Sequence, residues 1–337
     1  MTSAATGAGP GPVDTPQDYA GFAADVLPAY GFGANANCQL INLSENGTFR
    51  VDEGGRTAIL RVHRGGYHSS VEVESELAWI DALRQDVDFS TPVPIPALDG
   101  RRVVQARHRG RTRNAVLFQP LPGREPPNDD FSAGFEVLGQ VTAHMHEHAC
   151  RWQPPSWFSR FSWDWDHMLG RTPRWGRWQD GTGVGPAQVE VLTRAVDLLE
   201  RRLRAFGTGP DRFGLVHADL RAANLLLEGD QVAVIDFDDC GYGWHLYDLG
   251  TAVSFLEDDP RVAAWCDSWV AGYRTVRDLA VADEQEIPSF VWLRRLMLLA
   301  WIGSHSTTEL AQQMGSTFTE TTCELAERYL TATPPPH

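Results

Sequence analysis

A chain of 337 residues with 42% hydrophobic content can bury two cores, and its net charge of −15 works against nucleic-acid partners, whose phosphates it would repel. No apolar run approaches a membrane span, and the N-terminus, rich in Ala, Gly, Pro and Thr, lacks the basic start and apolar core of a secretory signal. Five scattered cysteines (Cys38, Cys150, Cys240, Cys266, Cys323) fit free thiols in a reducing cytoplasm better than a disulfide framework.

Residues 1–16 are small and Pro-rich and read as a disordered tail. Residues 17–30 read as a short helix. Strand-like segments follow at 38–43, 47–52 and 57–63, the last two joined by a Gly54-Gly55 hairpin turn. Residues 71–85 have helical periodicity, with Val73, Leu77, Ile80 and Leu83 on one side. Strands are expected at 102–106 and 114–118. Pro120-Leu121-Pro122-Gly123 then breaks the pattern, as a hinge between lobes does. Beyond it the chain is mostly helical, with helices expected at 131–148, 187–206, 244–255, 260–276, 288–303 and 307–330. Strands with one inserted helix, then a helical lobe, make the order of a two-lobed, protein-kinase-like α+β fold. Its N-lobe spans 17–119, its hinge 120–123 and its C-lobe 124–332.

Between Leu215 and Asp239 the chain reads LVHADLRAANLLLEGDQVAVIDFDD. Phosphoryl transfer to a hydroxyl needs a carboxylate to orient the acceptor and take its proton. It also needs an amide oxygen and a second carboxylate on the metal ions that bridge the nucleotide phosphates. Asp219, Asn224 and Asp236 supply these groups in the order and at the spacing of a kinase catalytic loop and its following β-ribbon. A single Asp or Asn would carry no such meaning in so acidic a chain. The turn at 44–48, with Asn46, Gly47 and Thr48, lies between two strands and can set backbone N–H groups and a hydroxyl over phosphates. Taken alone it is a plain β-turn.

His217-Ala218-Asp219 through Asn224, with Ile235-Asp236-Phe237-Asp238, resembles the aminoglycoside phosphotransferase-like superfamily. That group includes choline kinases, type II homoserine kinases and stress-response kinase A. Asp-Phe-Asp in place of Asp-Phe-Gly separates it from ordinary protein kinases. Ser75 to Trp79, the run from Phe237 to Gly250, and Arg294 to His305 extend the likeness, which covers about residues 18–330 and is nearest to phosphotransferases of the stress-response kinase A type. The resemblance implies ATP or GTP with Mg2+, and a strand Lys on the phosphates. This chain has no lysine, all 29 of its Lys+Arg being Arg, and Arg61 stands at that position with Glu76 as its carboxylate partner.

Arg221 lies where protein kinases carry a Lys near the transferred group, and it either steadies transition-state charge or packs on the loop. Gln119 and Leu121 offer backbone groups to the base. Asp238, Asp239, Trp244, Glu257 and Arg295 are assigned to the acceptor side, and Asp248 to bracing the catalytic loop. Arg294 and Arg295, charges in an apolar helix, either pair with carboxylates, with Glu257 and Asp258 among the candidates, or face a cleft. Six tryptophans (Trp152, Trp157, Trp163, Trp165, Trp175, Trp178) fall in an insertion where one or two can face substrate and most staple the loop down. His144, His146 and His148 read as a packed or surface cluster rather than a metal site. The leading function is transfer of a γ-phosphate to a hydroxyl of an antibiotic, nucleoside, amino alcohol or sugar. A Ser/Thr protein kinase and a nucleotide-binding pseudokinase are the alternatives.

Overall fold

The computed structural model describes residues 14–43, 45–126 and 131–332, for the last of these with side chains from residue 134. The fold is α+β and kinase-like. The described parts of Met1–Leu77 and Pro92–Pro120 form one compact unit, and those of Ala78–Thr91 and Leu121–His337 the other.

The first unit opens with helix α1 (Pro16–Val26), capped by Thr15, whose hydroxyl accepts the Asp18 N–H while the Asp18 carboxylate accepts the Thr15 N–H. Asp14, expected in the tail, pairs with Arg111 and Arg113 instead. Strands β1 (Asn37–Leu43), β2 (Gly47–Glu53) and β3 (Arg56–Val62) follow. Helix α2 (Ser70–Asp86) comes next, and the division between units falls inside it. Strands β4 (Pro94–Ile95), β5 (Val104–His108) and β6 (Arg111–Phe118) complete an antiparallel sheet in the order β1-β2-β3-β6-β4, with β5 also on β6. Phe22, Phe49, Leu60 and Leu117 lie in the core between α1 and the sheet. Ser44 of the expected phosphate turn lies outside the described residues.

The second unit is mostly helical, with short strands between its helices. Helix α3 (Phe131–Arg151) is followed by β7 (Ser162–Trp163), α4 (Trp165–Met168) and α5 (Pro186–Phe206). Strand β8 (Phe213–Val216) leads into the catalytic loop, β9 (Leu225–Glu228) and β10 (Gln231–Val234) form the ribbon, and β11 (Gly241–Trp244) pairs with both β8 and β7. Helices α6 (His245–Ala252), α7 (Val262–Arg274), α8 (Val281–Glu284), α9 (Ile287–Ser304) and α10 (Glu309–Ala332) close the unit. Two glycines let α3 and α7 touch. A Cβ at Gly139 would lie 2.0 Å from the Trp269 carbonyl oxygen, and one at Gly272 1.9 Å from that of Glu136. This close crossing brings Tyr273 of α7 to His146 of α3. The last helix is not continuous as its periodicity suggested: Gly315, at φ 51°, breaks it. No helix among the described residues is long and apolar enough to cross a membrane.

Candidate active site

Strand β8 delivers His217, Ala218 and Asp219 to a loop that is held from behind. The Asp248 carboxylate, in the first turn of α6, accepts the His217 N–H at 3.1 Å and the Ala218 N–H at 2.7 Å. Asp248 is wholly buried, and burial pushes its carboxyl up. His146 Nε2 sits 3.1 Å from the same carboxylate, and the Tyr273 hydroxyl 3.0 Å from His146 Nδ1. Burial keeps the His146 imidazole well below its usual range, hence neutral. His217 in turn donates from Nε2 to the Ile235 carbonyl, while its Nδ1 accepts the Asp219 N–H. One imidazole thereby ties the loop to the end of the ribbon.

Asn224 completes the loop. Its Nδ2 donates to the Asp219 carbonyl at 2.7 Å and to Asp219 Oδ2 at 3.0 Å. Its carbonyl accepts the Ile235 N–H at 3.0 Å, which sets Asp236 beside it in the chain path. Ala218 and Asp236 both hold left-handed backbone, at φ 66° and 63°. Such conformations in residues with a Cβ cost on the order of 1–3 kcal/mol and collect at functional sites. With Nδ2 spent on Asp219, the Asn224 side-chain oxygen makes no hydrogen bond within the described residues, and Asp236 is exposed. An amide oxygen and a carboxylate are hard oxygen donors of the kind Mg2+ takes.

Asp219 is partly buried. Arg294 Nη2 donates to its Oδ1 at 2.6 Å, and Arg221 Nε lies 3.4 Å from Oδ2. Burial works to raise its carboxyl, but the guanidinium groups of Arg221 and Arg294 outweigh that and hold it below the usual carboxylate range. The charge that helix α9 hides in its apolar interior therefore faces the catalytic loop. Of the two arginines, Arg295 pairs with the expected Glu257 and Asp258, while Arg294 pairs with Asp219, a partner not expected from the sequence.

The structure does not bring the whole expected acceptor set together. Trp244 is buried, donating its indole N–H to the Gly207 carbonyl at 2.8 Å and packing on Phe213 and Phe290. Glu257 and Arg295 are buried against each other, and Arg295 also binds Thr322. All three are core contacts, because a long or aromatic side chain whose polar atoms are satisfied internally has nothing left to offer a ligand. Asp238 and Asp239 are buried in the turn after Asp236. Arg160 binds the Asp238 and Cys240 carbonyls, and the Trp163 indole binds that of Asp239. The tryptophan-rich insertion thus staples the turn, with Trp163, Trp175 and Trp178 buried and Trp157 exposed. His146 and His148 are buried, and no cluster of ligating side chains among the described residues includes either or His144.

In the first unit Arg61 and Glu76 form a buried ion pair, and the guanidinium also lies over the Phe118 ring. Asn46 Oδ1 accepts the Arg64 N–H, Arg64 pairs with Glu45, and the Tyr19 hydroxyl donates to the Glu45 carbonyl. Gly47 is required by Tyr19, whose ring would lie 2.5 Å from a Cβ there. Thr48 sits opposite Arg61 in the β2–β3 ladder. The Gln119 N–H is spent on the Val93 carbonyl, so its own carbonyl is what remains for a base. Leu121, at the start of the second unit, uses no backbone group in a hydrogen bond within the described residues.

Arg294 contacts Asp219, Tyr247 contacts Arg294 and His146 contacts Asp248, and none of the three was placed there from sequence. The only signal was a charge amid apolar residues, which shows that a partner exists but not which.

Residues 38–284 match the Phosphotransferase enzyme family. The solved structure of a microcompartment-associated aminopropanol kinase is 52% identical, with a TM-score of 0.87 over 92% of this chain and 97% of that one. The amicoumacin kinase of Bacillus subtilis (strain 168) is 26% identical over 82% of each chain. An amicoumacin kinase solved with AMP-PNP, Ca2+ and Ami shares the fold, at 22% identity and a TM-score of 0.75, over 95% of this chain and 94% of that one.

Proposed function

The chain belongs to the Phosphotransferase enzyme family and is a small-molecule kinase with an alcohol group as acceptor, and from that premise we propose that it phosphorylates a short amino alcohol of the aminopropanol kind, using ATP and Mg2+. The observation that carries this reading is the 52% identity, across nearly the whole chain, to an aminopropanol kinase. The net charge of −15 agrees with an ammonium-bearing acceptor. These relatives do not favour the protein-kinase alternative.

In this reading Asp219 Oδ2 takes the acceptor hydroxyl proton. The acceptor oxygen bonds to the γ-phosphorus as the bond to the β–γ bridging oxygen breaks, and ADP leaves. Asn224 Oδ1 and Asp236 hold Mg2+, which when bound neutralises phosphate charge. The first unit contributes Arg61, kept straight by Glu76, to grip phosphate oxygens, with Asn46, Gly47 and Thr48 lining the phosphate turn. Arg221, about two-fifths exposed, is placed to meet charge developing on the transferred group. Gln119 and Leu121 offer backbone groups to the base.

The test is phosphate transfer from ATP or GTP, read by mass spectrometry. The acceptor panel holds amino alcohols, aminoglycosides, nucleosides, sugars and a generic protein, with Asp219→Ala as control. One added phosphate on an amino alcohol, absent in the control, is expected. Transfer to another class with amino alcohols untouched would refute the acceptor assignment.

A further inference from the structure

We propose that Arg294 is a positioning residue for the transfer step, selecting the Asp219 oxygen that meets the acceptor hydroxyl. The proposal rests on the reading of Asp219 as the proton acceptor. Arg294 lies near the middle of α9, only 2% exposed, in a helix whose other buried side chains are apolar apart from Ser289 and Arg295. Each of the three guanidinium nitrogens donates a hydrogen bond. Nη2 reaches Asp219 Oδ1 at 2.6 Å and Nε reaches Ser254 Oγ at 2.8 Å. Nη1 reaches the Tyr247 hydroxyl at 3.1 Å and the Ala218 carbonyl at 3.4 Å. The rings of Trp175 and Tyr247 lie within 6 Å of its central carbon. So bounded, the guanidinium cannot swing aside, and it holds both the left-handed residue before Asp219 and the carboxylate itself.

The two carboxylate oxygens are therefore inequivalent. Oδ1 is committed to a buried cation. Oδ2 accepts from Asn224 Nδ2 at 3.0 Å and lies 3.4 Å from Arg221 Nε, both groups of the loop itself, and we assign it to the acceptor hydroxyl. A cation so close makes Asp219 a weaker base, so the contact is not there to strengthen the base. What the rigid, planar fork supplies is orientation, and a misplacement of about 1 Å can cost on the order of a hundredfold in rate. Lysine, a single point of charge, cannot reach four acceptors on two elements at once.

The experiment compares Arg294→Lys, Arg294→Gln, Asp219→Ala and the Asp219→Ala/Arg294→Lys double variant, measuring kcat, the KM of both substrates and ATP affinity. Arg294→Lys and Arg294→Gln should bind ATP within about twofold of the parent while kcat falls by roughly a hundredfold. In the Asp219→Ala background, Arg294→Lys should have no further effect on residual kcat, since the group it positions is gone. A purely structural residue would instead lower activity in both backgrounds. Parent-like kcat in either single variant would overturn the proposal, as would an additive loss in the double variant. Failure of both single variants to fold would also overturn it, by making Arg294 a staple of the fold. Retained turnover in Asp219→Ala would instead remove the reading of Asp219 itself.

Discussion

Replacing Asp219 by alanine separates two consequences that the structure binds together. The first is chemical: without the proton acceptor, kcat should fall by about 10²–10⁴-fold, the usual contribution of a positioned general base. The second is mechanical. Among the described residues, Asp219 carries the only carboxylate bonded to Arg294, whose guanidinium is almost wholly buried. Breaking a buried pair from one side costs about 3–5 kcal/mol. Arg294 keeps Ser254, Tyr247 and the Ala218 carbonyl, all uncharged, so the lower end, about 3 kcal/mol, is expected. At ~2–4 °C per kcal/mol for a unit of this size, the thermal midpoint should drop by ~6–12 °C. ATP affinity should stay within a few-fold, because Asp219 is not among the proposed metal ligands. Coupled ADP release, titration of a fluorescent ATP analogue and a thermal melt on the same preparation measure all three. Turnover above a few per cent of the parent would refute the chemical role. An unchanged midpoint would refute the view that Arg294 depends on Asp219 for its neutralisation.

Asp236→Ala should weaken ATP binding in the presence of Mg2+ by at least tenfold while leaving Mg2+-free nucleotide affinity unchanged, which titration with and without EDTA would measure; equal losses in both conditions would contradict the metal assignment. His245 offers a pH test. Burial, then the neighbouring His146, drives its imidazole down to about 2 from an ordinary 6.5. The unfolded chain therefore binds a proton below pH 6.5 that the folded chain refuses, so stability falls as pH drops through that value, by about 1.4 kcal/mol per unit. His245→Phe should flatten the chemical-denaturation stability slope between pH 6 and 4 by that amount, and an unaltered slope would show that His245 does not titrate on unfolding.

The catalytic loop was legible because its chemistry is local. Asp219 and Asn224 are five residues apart in one turn, and Asp236 follows a single hairpin, so no long-range packing is needed to relate them. Helices α2, α3, α5 and α7 were legible to within a few residues, because burying one face imposes a period that shows in the chain, and α9, buried on nearly every side, was legible as a long apolar run. Strands β4 and β7, two residues each, carry no such period and are defined only by the neighbours they pair with.

What the sequence could not decide was which of its buried charges and aromatic rings belong to the site. Arg294 and Arg295 are adjacent and look alike in the chain. A turn of about 100° per residue points one at Asp219 and the other at Glu257 and Thr322. Trp244 and Asp248, in one short run, separate in the same way: the indole goes into the core and the carboxylate goes under the loop. Spacing along the chain set the order of the reacting groups. Helix phase and packing, which depend on residues far away in the chain, chose the partners that hold them.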